Sequence, residues 1–163
     1  MINLQPISWD NYVAVCQLQV EEHQKGFLAP NYASLAEAYL ELAAGDDGEP
    51  FTVFTICNDD EVVGFAMIYY LPSGKKSYAG GDGESCYYLS RFMLDKRFQG
   101  CGFGKVAMAL IIEYVKTRPL GEAGSFYTSF KPENEVMRKF IAACGFVETG
   151  KINEDEVVTR IVF

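Results

Sequence analysis

The sequence predicts an α/β fold of the α+β kind, a mixed central sheet with helices on both faces. Three observations predict it. Stretches of β and helical character follow in the order β-α-α-β-β-β-α-β-α-β-β. One helical stretch is apolar almost all round, as for a helix laid against a sheet. There are too few βα units for a two-fold repetitive dinucleotide fold. A length of 163 residues with a 49% hydrophobic share fits a single domain, residues 1–163, around one core.

Residues 2–7 read as a short edge strand. Residues 9–22 carry helical spacing through Tyr12, Val15, Cys16, Leu18 and Gln19. Asn31 or Ser34 is placed to cap a second helix over 35–44, which residues 45–50 break. Residues 51–57 and 62–70 are β-rich, and the Asn58-Asp59-Asp60 turn makes them a hairpin. A polar, glycine-rich loop over 71–83 leads to a strand over 85–94. The helix over 102–117 is the apolar one, with Val106, Met108, Ala109, Leu110, Ile111, Ile112 and Val115. A strand over 124–130 follows. The next helix, 132–144, has Val136, Met137, Phe140, Ile141 and Cys144 on one side. Residues 146–151 and 157–163 form a closing hairpin.

Composition removes several functions. No apolar run reaches the roughly 18–20 residues that cross a bilayer, and MINLQPISWD lacks the basic start and apolar stretch of a secretory signal. No membrane role and a cytoplasmic location are therefore expected. Five scattered cysteines without a C-x-x-C pair fit a reducing compartment. His23 is the only histidine, so no metal site is expected. A net charge of −8 disfavours nucleic acid as a partner. The acid is uneven. Residues 26–74 contain no Lys or Arg but include Glu37, Glu41, Asp46, Asp47, Glu49, Asp59, Asp60 and Glu61. This is a solvated surface, or a field for a cationic ligand if a site lies beside it.

The segment with most chemical content runs from Tyr87 through Ser90-Arg91-Phe92-Met93-Leu94-Asp95 to Gln99-Gly100-Cys101-Gly102-Phe103-Gly104-Lys105. A strand enters a glycine turn that opens a long helix. The unpaired N–H groups and positive dipole end of such a helix, with glycines letting the backbone approach, can hold a pyrophosphate. The P-loop pattern fails, because Gly104-Lys105 is followed by Val106. The dinucleotide fingerprint fails on spacing and on its late position. Gln99-Gly100-Cys101-Gly102-Phe103-Gly104 resembles the acetyl-CoA motif [QR]-x-x-G-x-[GA] of the GNAT N-acetyltransferase superfamily. Ser129-Phe130-Lys131-Pro132-Glu133-Asn134, followed by Gly145-Phe146, resembles its later element.

The resemblance implies a mostly antiparallel central sheet and acetyl-CoA as co-substrate. It places the pyrophosphate on the amides of Cys101, Gly102, Phe103, Gly104 and Lys105, within the motif opened by Gln99 and Gly100. Met93 and Leu94 would pair their backbones with the pantetheine arm, and Asn134 would hydrogen-bond the cofactor near its thiol. Alternatively, Asn134 bonds its own helix backbone. Two positions depart from the family pattern. Position 101, commonly basic, is Cys. Four residues before Gly145, where the family's proton-donating Tyr usually stands, the chain has Ile141. Tyr127 or water would then be the acid, or the reaction would run without one, and Ile141→Tyr is expected to raise kcat or leave it unchanged. Cys101 as a covalent acetyl carrier is disfavoured by its inferred place at the phosphates.

Residues 20–39, together with Leu89 to Asp95 and Glu133-Asn134, resemble bacterial diamine and spermidine/spermine N-acetyltransferases. The resemblance implies direct attack of a primary amine, a polyamine or diamine, on acetyl-CoA in a ternary complex. Glu22 is the leading substrate-side carboxylate, followed by Glu21 and Glu84, while Arg91 is read as a paired structural residue. Two alternatives stand beside this: a non-catalytic acyl-CoA-binding or sensory module, and an acetyltransferase for another amine such as a peptide N-terminus. The expected partner is a small-molecule amine, and a homodimer is left open.

Overall fold

The computed structural model describes residues 1–45, 48–74 and 83–163. Asp46, Asp47 and most of the 71–83 loop lie outside the described residues. Seven strands form one sheet in the order β1-β2-β3-β4-β5-β7-β6. They are β1 (Ile2–Pro6), β2 (Phe51–Asn58), β3 (Glu61–Leu71), β4 (Cys86–Leu94), β5 (Ser125–Phe130), β6 (Val147–Asn153) and β7 (Glu156–Val162). Every neighbouring pair is antiparallel except β4 and β5, which run parallel. The fold is thus the mixed, mostly antiparallel sheet expected, with β1 at an edge.

Helices α3 (Phe103–Lys116) and α4 (Glu135–Ala143) cover one face. Ala107, Met108, Ile111, Val115 and Ile141 pack there against Phe54, Ile56, Ala66, Ile68, Tyr87 and Phe126. Helices α1 (Tyr12–Gln17) and α2 (Asn31–Ala44) cover the other, where Val15, Leu18 and Ala38 meet Val53, Phe65, Met67 and Met93. Burial of the Val, Leu, Ile, Phe and Met side chains among them, at roughly 1.5–3 kcal/mol each, is what holds the layers together.

Three expectations need correction. The helix expected over 9–22 spans only Tyr12–Gln17, and Glu22–Phe27 forms a short 3-10 helix. The chain leaves the helix because Gln19 is claimed by β4's end: its N–H donates to Asp95 Oδ2 at 2.9 Å and its carbonyl accepts from Lys96 N at 2.7 Å. Neither Asn31 nor Ser34 caps α2. The helix begins at Asn31, whose side chain is buried and donates to the Val15 carbonyl at 2.9 Å, while Ser34 accepts from Arg91 Nε at 3.1 Å. Finally, α3 is not buried all round, since Val106 and Leu110 are 48% and 37% exposed.

Candidate active site

The site begins where the sheet comes apart. β4 and β5 pair only at Tyr87 with Phe126 and Tyr88 with Tyr127. A bulge contributes to the divergence: Met67 and Ile68 of β3 face Arg91 and Leu89, so Ser90 is an extra residue on β4. Ser90 Oγ donates to the Met67 carbonyl at 3.2 Å, and Thr128 Oγ1 reaches across the fork to the Leu89 carbonyl at 3.0 Å. Beyond the fork no strand among the described residues pairs with the β5-side edge of β4 from Ser90 to Leu94. An extended ligand can add there as a strand would.

Two cavities open at this fork, of about 340 and 350 Å³. The first is an apolar groove. Met93 and Leu94 of β4 form its floor, Gly100, Gly102, Gly104 and Lys105 one end, and Val136, Met137 and Phe140 of α4 a wall. The second is more polar, lined by Tyr88, Ser90, Arg91, Thr128, Ser129, Lys131 and Glu156. The two share Phe27, Leu28, Phe92, Asn134 and Met137. Acyl chemistry on a ligand in the groove is therefore accessible from the polar side.

The glycine turn is shaped for an anion. Gly102 is the N-cap of α3 with φ 82°, a left-handed conformation that costs an L-residue roughly 1–2 kcal/mol. A Cβ there would meet nothing within 4 Å, so the space it faces is open. Gly104 is tightly placed for another reason: a Cβ would lie 3.2 Å from Phe140 Cε2, where the helix start passes α4. Among the described residues no side chain caps the helix start, and Gly102, Gly104 and Lys105 of that start line the end of the groove. Gln99 serves the turn indirectly. Its Nε2 donates to the Leu94 carbonyl and to Gln24 Oε1, both at 3.0 Å, and its Oε1 accepts from Gln24 Nε2 at 3.1 Å. This amide pair ties the turn to the 22–27 segment that forms the groove's other wall. Cys101 is exposed, its thiol on the Gln99 carbonyl, and Phe103 turns into the core.

Asp95 anchors the same corner. Its carboxylate accepts from Gln19 N, Arg97 N and Arg97 Nε. Burial pushes the Asp95 pKa up, but those hydrogen bonds outweigh it and hold the carboxyl below the usual range.

The other expected residues are placed as follows. Asn134 lines both cavities and also caps α4, its Oδ1 accepting from Met137 N at 3.0 Å. Tyr127 packs with Leu71, Cys86 and Val158 and lines neither cavity. Glu22 is exposed, paired with Lys25 and also outside both linings. Ile141 is 1% exposed in the core between α4 and the sheet. The α4 side chains that reach the groove are Val136, Met137 and Phe140, so a tyrosine at 141 would enter the core rather than the site. Arg91 is paired: its Nη2 bridges both Glu37 carboxylate oxygens at 3.0 and 3.1 Å. Of the acid-only stretch, Glu37 is spent on this pair and Glu41 accepts from Glu49 N. Tyr88, Ser129 and Glu156 were not legible as a site, because nothing local marks residues that three separate strands bring together.

Among the described residues no helix is long and apolar enough to cross a membrane, and no group of three or more His, Cys, Asp or Glu is placed to hold a metal. The family model described as acetyltransferase (GNAT) family matches residues 12–146. A spermine/spermidine N(1)-acetyltransferase of Bacillus subtilis is 25% identical over 161 residues, 98% of this chain and 97% of that protein. The aminoglycoside acetyltransferase AAC(6')-Ib, solved with ribostamycin and coenzyme A, superposes with a TM-score of 0.75 at 18% identity, covering 99% of this chain and 93% of that one. An acetyltransferase from Salmonella typhimurium that modifies the N-terminal serine of a 50S ribosomal subunit protein gives 0.71 at 13% identity, covering 99% and 95%. The glycine turn, the forked sheet and the match over most of its length agree: the chain belongs to the GNAT family and is an acetyl-CoA-dependent acetyltransferase.

Proposed function

We propose that this enzyme transfers the acetyl group of acetyl-CoA to a primary amine, a polyamine or diamine, by direct attack in a ternary complex. The observation that carries the reading is the junction of the two cavities at Asn134, Phe92 and Met137. An apolar groove ending in an uncapped helix start suits pantetheine and pyrophosphate. The polar cavity beside it suits the acceptor. Both substrates then lie on one path with no carrier residue between them. The amine is favoured over other acceptors by the resemblance over residues 20–39 and by similarity to the spermine/spermidine acetyltransferase across nearly the whole chain. The fold does not choose the acceptor, since enzymes acting on aminoglycosides and on a protein N-terminus share it.

The groove would take Met93 and Leu94 against the pantetheine arm, the amides from Cys101 to Lys105 against the pyrophosphate, and Asn134 near the thiol. Incubation with acetyl-CoA and a panel of spermidine, spermine, diamines, amino acids, aminoglycosides and short peptides, followed by mass spectrometry, tests this. Acetylated polyamine is the expected product. Turnover of peptides or amino acids alone would overturn the acceptor, and coenzyme A binding without turnover of any amine would favour a sensory module.

A further inference from the structure

The polar cavity contains one carboxylate among the described residues that line it, Glu156, the first residue of β7. Its Oε2 accepts from Ser129 Oγ at 2.5 Å, and Ser129 Oγ lies 2.8 Å from the Tyr88 hydroxyl. An ionised carboxylate can only accept, so the Ser129 proton points at Glu156 and the serine oxygen accepts from Tyr88. The order runs from Tyr88 on β4 through Ser129 on β5 to Glu156 on β7.

Two cationic side chains, Arg91 and Lys131, line the cavity beside Glu156. Arg91 on β4 is neutralised by Glu37 from α2. Lys131, past the end of β5, donates to the Glu154 backbone carbonyl at 3.2 Å. Glu154 in the β6–β7 turn adds a second, exposed negative charge nearby. Burial raises the Tyr88 pKa, with the Ser129 hydrogen bond opposing it, so the phenol keeps its proton and acts as a fixed donor.

We propose that Glu156 receives the reacting ammonium of the acceptor and removes its proton, with Ser129 and Tyr88 as positioning residues. The proposal rests on the reading of this cavity as the amine site. One N–H bond of the ammonium breaks, an O–H bond forms on Glu156, and the electron pair stays on nitrogen. The neutral amine then forms its bond to the acetyl carbon as the C–S bond breaks. Of the two hydrogens left on nitrogen, one goes as a proton to the thiolate sulfur and the other stays as the amide N–H, and Glu156 returns its own proton to water.

The test is Glu156→Gln, which keeps the shape and removes the base, assayed with two primary amines. One is spermidine, whose amines are protonated near neutral pH; the other is trifluoroethylamine, which is largely neutral there. General base help is typically worth about 10²–10⁴-fold, so kcat/KM for spermidine should fall by about 100-fold or more. The loss should shrink as pH rises and free amine becomes available. With trifluoroethylamine the fall should be no more than a few-fold, and KM for acetyl-CoA should not change. Glu156→Asp should retain part of the activity, and Ser129→Ala and Tyr88→Phe should lose less than Glu156→Gln. An equal loss for both amines at every pH, or no loss, would overturn the base. If trifluoroethylamine is not turned over, the pH dependence with spermidine decides alone. If the wild-type protein binds coenzyme A yet acetylates no amine, the reading of the site falls, and the base with it.

Discussion

Helices α3 and α4 both start at the groove, yet they start differently. At α4 the N-cap is Asn134, whose side chain accepts from Met137 N and so satisfies one of the four N–H groups a helix start leaves free. At α3 the N-cap is Gly102, which has no side chain to offer, and its left-handed turn aims the start at open space. The same helical physics therefore gives a closed end and an open one. A helix start becomes an anion site when the chain withholds a cap and clears the approach. The two are also built against each other, since Gly104 admits Phe140 of α4 at a distance where a methyl would crowd.

The most direct way to break the contrast is Gly102→Val, which strains the left-handed turn and places a side chain in the open space. A hydrogen bond to a charged group is worth roughly 1.5–3 kcal/mol, so loss of one or two should lower coenzyme A affinity by about 10-fold or more. The measurement is the rise in Tm on adding coenzyme A, which should vanish while the fold survives. Full retention of that rise would remove the pyrophosphate from this turn.

Asp95, which sets the corner before the turn, should contribute through charge. Asp95→Asn should cost roughly 1.5–3 kcal/mol at neutral pH, the worth of hydrogen bonds to a charged acceptor. Because the folded-state pKa is lowered, the stabilisation is complete above the unfolded value and is lost as pH falls through the folded one. Urea midpoints of the two proteins should differ by a constant amount down to about pH 5 and converge below it. A difference that persists undiminished well below about pH 5 would show that the carboxylate's charge is not what matters.

Ile141→Tyr should destabilise by roughly 1–3 kcal/mol through overpacking, without raising kcat. The motif alone allows a raised or an unchanged kcat; the buried position of Ile141 selects the unchanged one, and a thermal melt beside a rate assay checks it. The smallest effects sharpen the comparison at α4. Asn134→Ala should cost about 1 kcal/mol as a lost cap, while Asn134→Asp should keep the cap and put a negative charge in place of the amide donor. If KM for acetyl-CoA rises in Asn134→Asp at unchanged Tm, the residue serves the cofactor as well as the helix. If both stay unchanged, it serves the helix alone.

The order of elements, the 51–71 hairpin, the closing hairpin and the glycine turn were legible in the sequence. Each is written in residues close along the chain: alternating or helical spacing of apolar side chains, a turn of Asn and Asp, a strand that meets glycines before a helix. The same locality made the motif and the family resemblance readable, and with them Met93, Leu94, Gly100, Gly102, Gly104, Lys105 and Asn134, which line the groove. Only tertiary structure decided what depends on residues far apart. Gln19 leaves its helix because Asp95 and Lys96 claim its backbone. Asn31 gives up capping because Val15 offers a buried acceptor. Counting back from Gly145 gives a place on α4 but not the face, and the sheet behind it draws Ile141 into the core while Met137 meets the groove. Glu156 stands beside Ser129 and Tyr88 because β7 pairs with β5 and β5 with β4, and strand pairing over such separations leaves no mark in any one segment.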